Sequence, residues 1–347
     1  MAQINKSSEY FNTVTYSGNG STQSITGVNF QPDLVWIKTR NSAVQHEVFD
    51  AVRGATKYIV TNATDPENTV ATSLTSFDSD GFSLSSQPAV NNGSNTFVSW
   101  NWLANGAGSS NTQGDITSTV SASTTSGFSI VSYTGNGTGG ATIGHGLGVA
   151  PKVVIYKRTD SANNWFMYNE NIGNTKYLNL ESTSAEQTYN VFQDTNPSST
   201  LLYVSGDTGG NASGGTYVAY CFAEKKGFSK FGTYAGGYGA DGPFIYTGFK
   251  PAFVMIKSYD GAYGWVMNDN KRNTYNEAKN TLFANATDAE DPTYNTCDLL
   301  SNGFKLRSSA GVSAINSATN DGTLNYIYMA FAEEPLVGTN NIPATAR

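Results

Sequence analysis

Short apolar runs rich in Val, Ile, Tyr, Phe and Trp alternate along the chain with clusters of Gly, Asn, Ser and Pro. The stretch around residue 150 shows the pattern most clearly. Phe128-Ser129-Ile130-Val131-Ser132-Tyr133 alternates, and Lys152 to Lys157 is a continuous apolar run. Trp165-Phe166-Met167-Tyr168, Tyr177-Leu178-Asn179-Leu180, Leu201-Leu202-Tyr203-Val204 and Tyr217 to Phe222 follow. Such stretches, bounded by turn residues, predict β-strands. No window sustains apolar positions at i, i+3, i+4 and i+7 between helix caps, so the chain reads as all-β. Continuous runs should be central strands and alternating ones should face solvent on one side.

The pattern occurs three times. A Pro precedes a Lys-ended apolar strand in Pro32-Asp33-Leu34-Val35-Trp36-Ile37-Lys38, in Pro151-Lys152-Val153-Val154-Ile155-Tyr156-Lys157 and in Pro251-Ala252-Phe253-Val254-Met255-Ile256-Lys257. Upstream of each lies a Tyr-Gly phrase: Tyr16-Ser17-Gly18, Tyr133-Thr134-Gly135 and Tyr234-Ala235-Gly236. Downstream lies an aromatic strand: Val98-Ser99-Trp100-Asn101-Trp102, Val218-Ala219-Tyr220-Cys221-Phe222 and Ile327-Tyr328-Met329-Ala330-Phe331. A period of roughly a hundred residues exceeds any solenoid repeat and suits an independent domain. The expectation is three tandem antiparallel β-sandwich domains over 8–103, 126–224 and 227–333, of jelly-roll-like character, with a closed barrel as the alternative. Residues 104–125, poor in aromatics and rich in Gly, Ser and Thr, read as an extended or flexible linker. Units two and three, joined only by Glu224-Lys225-Lys226, should pack rigidly. Residues 334–347 read as an irregular C-terminal tail that frays or docks on a neighbour.

Charged residues make up only 14% of the chain, and the formal net charge is −7. A protein that binds phosphate backbones needs a clustered basic face, and no basic run exists, so nucleic acid is excluded as a partner. Two cysteines cannot build a disulfide framework. Cys221 falls in the last strand of unit two and Cys297 in what reads as a loop of unit three, which points to synthesis in a reducing compartment. With no apolar N-terminal segment and no run of about 20 apolar residues, the reading is a soluble protein without membrane insertion.

Candidate chemistry is sparse. The two histidines, His46 and His145, lie in different units with no repeat equivalent, leaving little from which to build a nucleophile–base pair and no His/Cys metal site. Acids cluster in one loop: Asp65 and Glu67 in unit one, Glu181 and Glu186 in unit two, and Asp288, Glu290 and Asp291 in unit three. Three readings compete there, in descending order: turn-shaping side chains, a calcium site at Asp288, Glu290 and Asp291 built of loop oxygens, and a glycosidase carboxylate pair. No other cofactor is implied. Trp36, Trp100 and Trp102 read as core or inter-domain contacts. Tyr238, Tyr259 and Tyr263 in Gly-rich loops, with the matched Trp165 and Trp265, are the candidate binding residues, either for sugar rings or for a neighbouring protein chain.

The phrases Phe30-Gln31-Pro32-Asp33-Leu34-Val35-Trp36-Ile37-Lys38, Phe49-Asp50-Ala51-Val52-Arg53-Gly54-Ala55-Thr56-Lys57, Ser76-Phe77-Asp78-Ser79-Asp80-Gly81-Phe82, Tyr133-Thr134-Gly135-Asn136-Gly137 and Tyr328-Met329-Ala330-Phe331-Ala332-Glu333 resemble a family of repeat-containing virion proteins of tailed, often marine, bacteriophages. The resemblance covers nearly the whole chain. It implies a non-enzymatic structural protein with concanavalin-A-like sandwiches, made in the bacterial host cytoplasm and resident in the virion. The leading expectation is a tail-associated appendage or tail fibre component with host-glycan or receptor binding. A capsid decoration (cement) protein and a glycan depolymerase are the alternatives. Other virion proteins are the implied partners. Open sheet edges with few lysines to blunt them further predict a homo-oligomer, a trimer first, with 105–125 and 336–347 contacting neighbours.

Overall fold

A computed structural model describes residues 4–293, 295–307 and 317–337. Its regular structure is almost entirely antiparallel strand. The first third forms an open six-stranded sheet in the order Phe11–Ser17, Thr96–Trp102, Leu34–Thr39, Glu47–Asp50, Lys57–Val60, Asn68–Thr69. A small sheet of Gln23–Thr26, Gly81–Leu84 and Leu74–Asp78 accompanies it. The second third orders Ser109–Asn111, Ser118–Ser123, Phe128–Thr134, Thr216–Phe222, Val153–Arg158, Trp165–Asn169, Lys176–Asn179 and Gln187–Thr188, with Ala141–Gly144 and Leu201–Val204 as its small sheet. The last third orders Ser229–Ala235, Asn325–Pro335, Phe249–Ser258, Val266–Asp269 and Leu282–Phe283, with Phe244–Tyr246, Gly303–Leu306 and Cys297–Leu300 as its small sheet. In every third the aromatic closing strand lies between the Tyr-bearing opening strand and the Lys-ended strand.

Both faces of each Lys-ended strand are covered, which is why its sequence does not alternate. Leu34 and Trp36 enter one apolar cluster while Val35 and Ile37 enter another, and Val153 and Ile155 part in the same way from Val154 and Tyr156. The first of these clusters is common to all three units. At its centre the equivalent residues Trp102, Phe222 and Phe331, each opposite its unit's Lys-ended strand, form a triangle of rings. Their centroids are 6.4, 5.9 and 5.6 Å apart. A residual apolar cavity of ≈ 30 Å³ lies beside them, whose apolar lining offers a water too few hydrogen-bond partners.

The Tyr-Gly phrase has one cause three times over. Tyr16 stacks on Phe97, Tyr133 on Tyr217 and Tyr234 on Tyr326, at centroid distances of 5.0, 5.2 and 5.0 Å. Each hydroxyl donates to a carbonyl on the facing loop, at Val90, Gly210 and Thr319. The following glycine lets that loop approach closely. A Cβ on Gly18, Gly135 or Gly236 would lie 2.2, 2.3 or 2.0 Å from a backbone oxygen.

Three sequence expectations change. The linker 104–125 is in part sheet: Ser109–Asn111 and Ser118–Ser123 extend unit two, because hydroxyl side chains serve at a half-exposed edge as well as aromatics serve inside. Cys297 is not in a loop but fully buried at the start of a strand, facing the core. The closing strand of unit three continues through Glu334 to Pro335, beyond the point where Pro should have stopped it, because Pro335 sits at the strand's end opposite Phe249. The tail from 338 onward lies outside the described residues.

Candidate functional site

The residues singled out in the sequence converge on the joints between units. Each Lys-ended strand delivers its terminal ammonium, fully buried, to carbonyls of its own loop and of the neighbouring unit. Lys157 Nζ of unit two reaches the Thr64 oxygen of unit one at 2.8 Å and its own Asn163 oxygen at 2.6 Å. Lys257 of unit three reaches Thr183 of unit two at 3.0 Å, with Gly261 and Tyr263 at 3.2 and 2.7 Å. Lys38 of unit one reaches Thr287 of unit three at 3.1 Å and its own Thr39 at 2.7 Å. The direction is cyclic, two to one, one to three, three to two, so three joints close a ring within one chain. Burial lowers the three ammonium groups to about 8 at Lys38, about 8 at Lys157 and about 7 at Lys257.

Two further contacts repeat with the same handedness. Trp165 Nε1 donates to Val60 O and Trp265 Nε1 to Asn179 O, both at 2.9 Å. Three residues beyond each lysine's acceptor, the backbone N–H of Glu67, Glu186 and Glu290 donates to Thr159, Tyr259 and Arg40 at 2.8, 2.7 and 2.6 Å. The acidic loop is therefore the edge by which each unit is held. Glu290 is clamped by Arg40 at 2.9 and 3.0 Å and by Arg272 at 3.3 Å. Asp288 is exposed beside Lys38, and Asp291 accepts from the backbone of Thr293. Among the described residues no group of three or more His, Cys, Asp or Glu is placed to hold a metal ion.

Trp165 and Trp265 are not binding surfaces. Both are fully buried, because the apolar run that carries them faces the shared core. Tyr259 and Tyr263 are half-buried against the same cluster. Of the five candidate binding residues only Tyr238 stands open to solvent, its hydroxyl engaging Asp321.

His46 does have repeat equivalents. Strand register places it opposite Lys38 as Trp165 is opposite Lys157, one step beyond the paired Ile37 and Glu47. Its Nδ1 accepts from Trp36 Nε1 at 2.9 Å, and Nε2 is aimed at the Phe283 and Ala286 carbonyls without closing a hydrogen bond of good geometry. Burial above all, with the Lys38 charge, holds the ring neutral. His145 is also buried and engages the Ser198 carbonyl. Burial pushes the Cys221 and Cys297 thiols up to about 12, which leaves them unreactive.

A buried acid relay, absent from the sequence reading, crosses two of the joints. Tyr220 Oη donates to Asp50 at 2.7 Å, and Asp50 pairs with Arg53. The equivalent Trp100 Nε1 donates to Asp269 at 3.0 Å, and Asp269 pairs with Arg272 at 2.6 Å. The repeated Asp-x-x-Arg spacing was its only sequence signal. At the third joint the same positions hold Met329, Asn169 and Ile172.

Residues 6–335 match the family model described as Domain of unknown function (DUF7483), and the chain belongs to that family. The match takes in all three units together. No curated protein matches the chain, and no solved structure does.

Proposed function

We propose that the three units are β-sandwich domains related by internal duplication, and that the protein is a non-enzymatic structural component of a tailed phage particle, associated with the tail. One observation supports this above others: the Lys, Trp, Asp, Glu and Arg side chains that could have done chemistry are spent in locking the units to one another. Rigidity, not turnover, is what such a ring supplies. The phrases shared with phage virion proteins supply the setting. The loop face bearing Tyr238 is the surface left open for a host glycan or receptor.

The test is localisation in purified particles by cryo-EM with an antibody label. Density at the tail is expected. Density on every capsomer instead makes the protein a capsid decoration, and absence from the particle overturns the structural reading. Release of reducing ends from host polysaccharide, abolished by Glu290→Gln with folding intact, would replace it by a depolymerase.

A further inference from the structure

The three small sheets are internal controls for one another. Ile25, Ile143 and Ile245 occupy one position, each buried and opposite Phe82, Leu202 and Phe304. The flanking residues of these edge strands therefore correspond as well: Ser24, Thr142 and Phe244 on one side, Thr26, Gly144 and Tyr246 on the other. In unit one the edge carries exposed hydroxyl residues. In unit two it is covered by the chain's own connector: Ile116 pairs in parallel with Ile143, Ile116 N–H donates to Thr142 O at 3.0 Å, and Asp115 accepts from Thr142 N at 3.0 Å. Unit three presents two aromatic rings instead. Phe244 is 43% exposed and Tyr246 53%, with the exposed Val337 beside Tyr246. No described residue outside its own sheet hydrogen-bonds the Phe244 backbone.

An edge strand whose Phe244 backbone is left open among the described residues, and which bears large apolar side chains, is a template for strand addition, and natural edges normally blunt it, as Lys230 does only at the Tyr246 carbonyl. The charges at its two ends are complementary to those of a second edge run in reverse. Lys230 flanks the Tyr246 end, donating to Tyr246 O at 3.1 Å with its ammonium 5.6 Å from the ring centroid. At the Phe244 end stands the carboxylate of Asp241, 2.8 Å from Lys305 and 3.8 Å from Arg307, and 91% exposed. Antiparallel pairing about a twofold axis sets Phe244 against Tyr246 of the other copy and Lys230 against its Asp241. We propose that the Phe244–Tyr246 edge is the docking surface for a second copy of this chain, joined by antiparallel strand addition into a twofold dimer. A twofold contact of this kind uses one patch on both partners and caps both edges at once. It stands whether or not the protein belongs to a virion.

Sedimentation velocity of the full chain from micromolar to submillimolar concentration tests this. A monomer–dimer equilibrium is expected, shifted to monomer in Phe244→Ser/Tyr246→Thr, the residues of unit one at these positions, with an unchanged melting midpoint. Lys230→Asp and Asp241→Lys should each weaken the dimer, and the double charge exchange should restore it. A wild-type chain that stays monomeric throughout overturns the proposal, as does a dimer indifferent to the aromatic pair; an adduct seen only with host glycan would reassign the patch to sugar binding.

Discussion

The joint between units one and three and the joint between units two and three share one geometry and differ in what fills it. Both have a buried lysine reaching a threonine carbonyl across the boundary, and both have a glutamate N–H returning to the lysine's strand. The first adds Trp100, Asp269, Arg272, Glu290 and Arg40, a buried network of rings and charges. The second has Met329, Asn169 and Ile172 in the equivalent places, and the Asn169 amide nitrogen is buried without a partner. Main-chain acceptors met by Lys257, by the Trp265 indole and by the Glu186 N–H therefore define this joint without the acid pair. The acid relay is an addition, and a buried ion pair is weak evidence of net stability.

The largest expected effect comes from breaking the relay halfway. Asp269→Ala takes the nearer carboxylate from the Arg272 guanidinium and the acceptor from Trp100, leaving Glu290 at 3.3 Å as the remaining acid, and should cost about 3 kcal/mol in chemical denaturation. Converting the pair to its counterpart with Asp269→Asn/Arg272→Ile should recover most of that loss, since Glu290 keeps Arg40. A double variant as unstable as the single one would mean that the joints are not interchangeable.

Next in size are the lysines. Lys257→Met leaves three carbonyls without their donor and should cost about 1–3 kcal/mol near pH 6. Its pH dependence sharpens the comparison. With the folded value lowered to about 7, the unfolded chain binds more protons than the folded one from there up to the ordinary lysine value. Wild-type stability therefore gains from Lys257 as pH rises through that window, and the variant lacks the gain, so its deficit widens. For Lys38→Met the widening should begin about one pH unit higher, because Asp288 and Glu290 support the charge there. Denaturation midpoints measured at several pH values separate the two.

A smaller effect is expected at the indoles. Trp265→Phe keeps the apolar contact and loses the bond to Asn179, for about 1 kcal/mol. The same change at Trp165 should match it, a comparison that thermal melts resolve.

Much of this was readable in order of locality. The all-β class follows from run length and turn residues, and the strands around Val153, Trp165, Tyr177 and Leu201 fall where the pattern puts them. The three Pro-to-Lys strands were visible as a repeat, and their continuous apolar runs required cover on both faces. What a run of apolar residues does not specify is which body provides that cover. Trp165 and Trp265 looked like a binding surface, and the acidic loop like turn-shaping side chains with a cation site as the second reading, because their partners lie in another unit, dozens of residues away. His46 seemed unmatched because identity, not position, was being compared; register alone sets it beside the tryptophans.

The sequence by itself therefore determined the all-β class, most of the strands and the threefold recurrence, since these rest on local periodicity and turn chemistry. Only the tertiary structure decided that the three units share one core, that each lysine points into its neighbour, and that one small-sheet edge is left aromatic and open. Those outcomes depend on which faces meet, and burial of an apolar face is indifferent to the chain position of its partner.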